Sequence, residues 1–301
     1  MKLVISASPH ISSGATTRKI MGDVLIALCP ALIAAIVIFG WRALLVTAVC
    51  AAACVFFEWG FERLCHKEST IGDLSAVVTG VILAYNLPVS IPLWQAVFGC
   101  LVAIVAVKQL FGGIGKNFAN PALVGRIVLF LSFSKTMTAW VFPDAVSSAT
   151  PLAQLAAGQK PELWTLLLGN HGGCIGETCA LALLLGGAYL LLRGVITWQT
   201  PVCFVGTVFV LSLILGQDAV RQILSGGLLL GAFFMATDYV TAPQTCWGRA
   251  LFGIGAGLLT CLIRFYGSYA EGVSFAILFM NILTPYLSKW TRSKPLGGVP
   301  A

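Results

Sequence analysis

Apolar residues fall into long unbroken runs separated by short polar stretches, rather than being dispersed along the chain. A helix crosses a bilayer with roughly 20 such residues. The runs predict ten spans, near 21–40, 43–61, 72–87, 91–111, 121–141, 175–193, 198–216, 220–237, 246–263 and 271–288. Some are interrupted: the third ends at "YNLP", the fifth follows "NFANP" and the eighth runs out at "ATDYVTAP". Inside a membrane such breaks are tolerated only where protein or a cavity satisfies the freed backbone groups. The expected architecture is an all-α polytopic membrane protein, one transmembrane domain over 1–301. Residues 1–20 form its N-terminal segment, 142–174 its longest outer loop and 289–301 its tail.

Pro88 and Pro243 lie 155 residues apart, and so do Gly112 and Gly267; in that register "LFGG" sits over "FYGS". Halves of five spans each would insert in opposite orientation. Inverted repeats with broken helices place a binding site near the midplane between the halves.

Composition agrees with the pattern. Of the 301 residues 58% are hydrophobic and 10% charged, against about 25% charged in soluble domains. The first twenty residues are polar and lack the apolar core of a cleavable signal peptide. Twelve of the 18 Lys and Arg fall on the side of the termini. Four lie on the other side (Arg42, Lys160, Arg221, Arg264), with Arg126 and Lys135 in or at the end of span five. The positive-inside rule then puts both termini in the cytoplasm. The net charge of +7 reflects these loops, and no nucleic-acid partner is expected. The ten cysteines form no C-x-x-C pair and read as small packing residues, so no metal site or iron–sulfur cluster is expected. "GIGAG" at 253–257 sits inside an apolar run and reads as helix packing rather than a nucleotide fingerprint.

Two stretches carry candidate chemistry. "SSGATT" at 12–17 and "SSATPL" at 147–152 each set a threonine after a small residue and a pair of serines. In the second, Asp144, Ser147, Ser148, Ala149 and Thr150 read D-x-x-S-S-A-T. Pro151 pushes Thr150 towards an extended backbone, and the small neighbours leave little bulk around its hydroxyl. From the residues alone, an ordinary helix cap or turn is the favoured reading of the stretch.

The segment resembles the flavinylation motif of a membrane family: the D subunit of the bacterial Rnf complex and the B subunit of the sodium-pumping NADH:quinone oxidoreductase. "SPHISSGATTRKIMGDVLIALCPA", "GGIGKNFANPALVGR" and "EGVSFAILFMNILTP" extend the resemblance over most of the chain. It implies FMN joined through its phosphate to Thr150, made from FAD by a dedicated flavin transferase on the outer face. It further implies a ten-helix inverted repeat similar to urea transporters, in a bacterial inner membrane. The implied role is an electron relay between ferredoxin and NAD, coupled to export of sodium ions or protons. Rnf subunits A, B, C, E and G are the implied partners, above all the G subunit with its own covalent FMN. Position 148 is Ser where the quinone-reductase member has Gly. Thr16 ends the closer match to a short S-G-A-T core, but position 9 is Pro where the motif needs Asp. By the charge count it also lies on the cytoplasmic side, so Thr150 is the expected attachment residue.

Polar residues near the breaks are functional candidates, because burying them in a membrane is costly. Asn120, Asp238, Lys116, Arg126 and Glu271 are expected to line a cavity for the flavin ring, for a second flavin or for an ion. The quinone-reductase member's association with riboflavin makes that second flavin a noncovalent riboflavin. Snorkelling interfacial charge accounts for Arg126 and Glu271 equally well. Asp23 and Asp73 read as helix-start charges favoured by the dipole. Fold alone leaves two other functions open, a urea-transporter-like solute channel and a scaffold without cofactor.

Overall fold

The computed structural model describes residues 16–140, 150–267 and 272–292. Among them the regular structure is entirely helical. The first half holds α1 (Thr17–Phe39), α2 (Trp41–Leu64), α3 (Ser75–Tyr85), α4 (Leu93–Leu101), α5 (Pro121–Ser132) and α6 (Ser134–Met137). Two short helices follow, α7 (Pro151–Ala156) and α8 (Leu163–Leu168). The second half holds α9 (Ala180–Leu192), α10 (Gln199–Ile214), α11 (Ala219–Leu224), α12 (Leu228–Leu230), α13 (Cys246–Tyr266) and α14 (Val273–Trp290). Two helices run on as wider π turns: α4 through Val102–Gln109 and α12 through Gly231–Met235. By length and composition α1, α2 and α13 can each cross a membrane.

All ten predicted spans contain helix, but several are shorter than the apolar pattern suggests. Span five stops at Ser132, and span eight is cut by the Ser225–Gly227 turn between α11 and α12. Span six begins at Ala180 rather than 175, because residues 170–179 form a non-helical loop that is buried over 171–178. The reason lies in α3. Its helix ends at Tyr85, three residues before Pro88, leaving carbonyls without helical partners. Gly176 N–H donates to Tyr85 O at 2.9 Å and Ile175 N–H to Leu87 O at 3.0 Å. The Cys174 thiol reaches Asn86 O at 3.4 Å. Gly176 permits this approach, since a Cβ there would sit 2.3 Å from Tyr85 Cβ. The far end of the expected outer loop is therefore protein interior.

Helix starts follow local chemistry. Thr16 caps α1 by accepting from Lys19 N–H at 3.3 Å. Asn120 caps α5 by accepting from Ala122 N–H, with Pro121 at the first helical position, where its missing N–H costs nothing. Asp73 accepts from Ser75 N–H at 2.8 Å just before α3, the helix-start role its position suggested. Asp23 does not have that role. It is well inside α1, and accepts from the Tyr189 hydroxyl and the Arg193 guanidinium of α9 at 3.1 and 3.2 Å.

That contact fixes how α1 and α9 run. The start of α1 meets the end of α9, whereas Ile38, near the other end of α1, touches Gly169 in the loop before α9. In the second half, α13 lies against α10 through Gly253 and Gly257. Their Cβ positions fall 2.7 Å from Thr200 O and from Thr207 Cβ. The glycines of "GIGAG" are thus packing residues. All ten cysteines are free thiols, and no metal-ligating group of three occurs among the described residues.

A Cβ at Gly253 would meet backbone of α10, which cannot yield, whereas one at Gly206 has open space around it. Gly253→Ala should therefore lower the apparent Tm of the detergent-purified protein, at a cost of about 1–3 kcal/mol. Gly206→Ala should leave it unchanged or raise it. Equal melting curves for the two variants would contradict this packing.

Candidate functional site

A cavity of about 340 Å³ opens beside the start of α1, with Thr17, Met21 and Val24 on its wall. Its polar lining comes from Ser75, Lys108, Asn117, Asn120 and Asp238, and Phe233, Phe234 and Tyr239 add aromatic faces. This mixture of a few convergent polar groups on an aromatic and aliphatic wall is typical of small-molecule sites. Asn117 Oδ1 is buried without a hydrogen-bond partner, an acceptor left for a ligand N–H.

Both helix breaks build this cavity. The π turn that ends α12 brings Phe233 and Phe234 to its wall, and Asp238 follows three residues later. Asp238 accepts from Thr241 Oγ1 at 3.1 Å and from Val240 N–H at 3.4 Å. At the inner end, Asn120 Nδ2 donates to Met235 O and Asn86 Nδ2 meets Met235 Sδ, each at 3.4 Å. Met235 is the plug between the two breaks.

Of the five residues expected to share a cavity, Asn120 and Asp238 do so. Lys116 is exposed and packs its aliphatic chain over Gly112, off the wall. Arg126 is buried elsewhere, donating to Ser274 Oγ on α14 at 2.5 Å and reaching Cys174 Sγ at 3.7 Å. It ties α5 to α14 and to the buried loop. Glu271 lies outside the described residues, as do Asp144, Ser147, Ser148 and Ala149.

Thr150 is described. It has the extended backbone that Pro151 demands, at φ −60° and ψ 155°, and caps α7 by accepting from Ala153 N–H at 3.3 Å. Capping alone does not single it out, because Thr16 caps α1 in the same way. Position does. Leu152 and the Arg264 guanidinium converge on Gly226, next to Gly227, which faces Glu177 of the buried loop. That loop meets the far end of α1, a helix of 23 residues and so about 34 Å long. Thr150 and the cavity therefore lie at opposite ends of the bundle, with Thr16 at the cavity's end. Beside Thr150's end, burial pushes the imidazole of His171 below its usual range, keeping it neutral.

One group was missed in the sequence. Lys108 counts there as a loop cation, but the π turn of α4 holds it inside, 2% exposed. Its Nζ lies 2.8 Å from Glu58 of α2 and 2.6 Å from Ser75 Oγ. Glu58 and Glu62, four residues apart in an otherwise apolar run, were the available signal.

The family described as NQR2, RnfD, RnfE matches residues 4–297. The chain belongs to that family. It is 46% identical to the D subunit of the Na(+)-translocating ferredoxin:NAD(+) oxidoreductase complex of Acetobacterium woodii, over 99% of this chain and 96% of the relative. It is 40% identical to the D subunit of the proton-translocating ferredoxin:NAD(+) oxidoreductase complex of Clostridium ljungdahlii, over 97% and 96%. The D subunit of the ion-translocating oxidoreductase complex of Halorhodospira halophila is 35% identical, over 97% and 94%. Two of these relatives are named for different ions, so family membership leaves the coupling ion open.

Lys108→Met should strand the Glu58 carboxylate, since breaking a buried pair costs about 3–5 kcal/mol. Combining it with Glu58→Gln should restore most of the loss. Thermal unfolding of the single and the double variant in detergent checks this; a Lys108→Met variant melting like the wild type would mean that the pair is solvated.

Proposed function

We propose that this chain is the D subunit of an Rnf-type complex: a membrane relay that carries FMN through a phosphodiester at Thr150. Full-length likeness to subunits of ferredoxin:NAD(+) oxidoreductases carries the reading. The oxidoreductase and translocase activity belongs to the assembled complex with subunits A, B, C, E and G. Flavin supplies a centre that exchanges one or two electrons.

The residues present fit such a group. A phosphodiester at Thr150 Oγ1 replaces the hydroxyl hydrogen and leaves an oxygen that still accepts from Ala153 N–H, so the α7 cap survives. The added negative charge would stand at a helix start, where the dipole favours it. Arg264, held by the carbonyls of Gln222 and Ser225, supplies nearby positive charge. The cavity at the other end suits a second, noncovalent flavin. Its aromatic side chains match a flat ring system, and Asn117, Asn120 and Lys108 can meet a polar edge.

The inverted repeat has support in helix order. Shifted by 155 residues, α1 to α5 fall on α9, α10, the α12 π segment, α13 and α14 in turn. Exposed tryptophans support a spanning orientation: Trp41, Trp94 and Trp164 lie near Thr150's end, and Trp198, Trp247 and Trp290 near the other. Such belts mark membrane interfaces. The basic bias of the loops supports an orientation with both termini in the cytoplasm and Thr150 outside, where a flavin transferase would act.

The test is flavin fluorescence of the denatured polypeptide on a gel, after co-expression with a flavin transferase. Wild type and Thr16→Val should fluoresce and Thr150→Val should be dark. A dark wild type, with the transferase active on another substrate, would sink the covalent-flavin reading and favour a channel or scaffold.

A further inference from the structure

The strongest unassigned feature is the buried polar chain between α2, α3 and the π turn of α4. Glu58 and Glu62 are 0% and 3% exposed, and the Lys108 ammonium faces Glu58. Glu58 is fully served. Lys108 Nζ stands 2.8 Å from both of its oxygens, and Gln109 Nε2 donates to Oε1 at 3.0 Å. Glu62 is not: among the described residues Oε1 meets only Thr70, and Oε2 is buried without a partner.

Thr70 makes the proton count. Its Oγ1 lies 2.5 Å from Glu62 Oε1 and 3.0 Å from Glu58 Oε1. A hydroxyl has one hydrogen, and an ionised carboxylate only accepts. Both contacts become full hydrogen bonds when one carboxyl brings its own hydrogen. Glu58, with ammonium and amide donors, is the ionised member. Glu62 is then the acid, donating to Thr70 while Thr70 donates to Glu58. Burying Glu62 as a second charge with an unpartnered oxygen would be far more costly.

We propose that Glu62 stores a proton and that Thr70, Glu58 and Lys108 form the chain that delivers it to the cavity. Lys108 and Ser75 both line that cavity, so the chain ends at its wall. The delivery half rests on the reading of the cavity as the seat of a flavin-class cofactor, which takes its electrons from a neighbouring redox subunit. Transfer along the chain moves one proton and no electrons. An N–H bond of Lys108 breaks as the cavity's acceptor gains the hydrogen. Glu58, receiving a hydrogen through Thr70, passes it to Lys108, and the O–H bond of Glu62 breaks. Glu62 stays ionised while the cofactor is reduced, and regains a proton from water at the exposed 63–69 segment on reoxidation. The other charges facing the chain are Lys67, whose Nζ donates to Gln109 O at 3.2 Å, and Asp73, which accepts from Ser75 Oγ at 2.5 Å.

The test is infrared difference spectroscopy of the whole complex, oxidised and reduced, with extractable flavin measured on the same preparations. Wild type should show the C=O band of a protonated carboxylic acid, shifted in heavy water, absent from Glu62→Gln and bleached on reduction. Thr70→Val should keep the band and lose the bleaching. A wild type with no acid band that Glu62→Gln removes would overturn the stored proton, whatever flavin is extracted. A band that survives reduction would overturn the delivery. Preparations with no noncovalent flavin would instead refute the cavity reading, and delivery with it, while the band still decides whether Glu62 is protonated.

Discussion

A helix that stops inside an apolar environment must find partners for the backbone groups it frees, and this obligation organises the whole chain. At the first break the carbonyls of Tyr85, Asn86 and Leu87 are met by Gly176, Cys174 and Ile175. That draws residues 171–178 into the interior. At the second break Met235 O takes Asn120 Nδ2, and Asp238 gathers the turn after it. The two solutions meet at Met235. The cavity is the space left on one side of that meeting, and the α7 and α8 segment occupies the other.

The same economy of partners governs buried charge. Lys108 and Glu58 are tolerable because each satisfies the other, and because Ser75, Thr70 and Gln109 take up the remaining donors and acceptors. A π turn, common at functional sites, holds Lys108 and Gln109 side by side against α2. The arrangement links the exposed loop after α2 to the cavity wall by hydrogen bonds alone. A polar chain of that kind in an apolar bundle is costly unless complete, and only Glu62 Oε2 falls short.

The two threonines illustrate how little a local motif decides. Both follow small residues, both have extended backbones and both cap a helix. What separates them is the length of α1 and the antiparallel course of α9, which set them at opposite ends. Thr150, the proposed flavin anchor, thus stands at one end of the bundle and the cavity at the other.

Much of this was legible in the apolar runs: the all-helical class, the breaks at Pro88 and after Asn120, and the packing role of the 253–257 glycines. These depend on composition, on period and on residues such as proline whose effects are local. The shortened fifth, sixth and eighth spans, the inward loop, the tie from Asp23 to α9 and the internal position of Lys108 were not. Each depends on a partner far along the chain, 33 to 170 residues away for the hydrogen bonds concerned. Hydropathy reports how willingly a residue leaves water. Only the folded chain decides what meets it there.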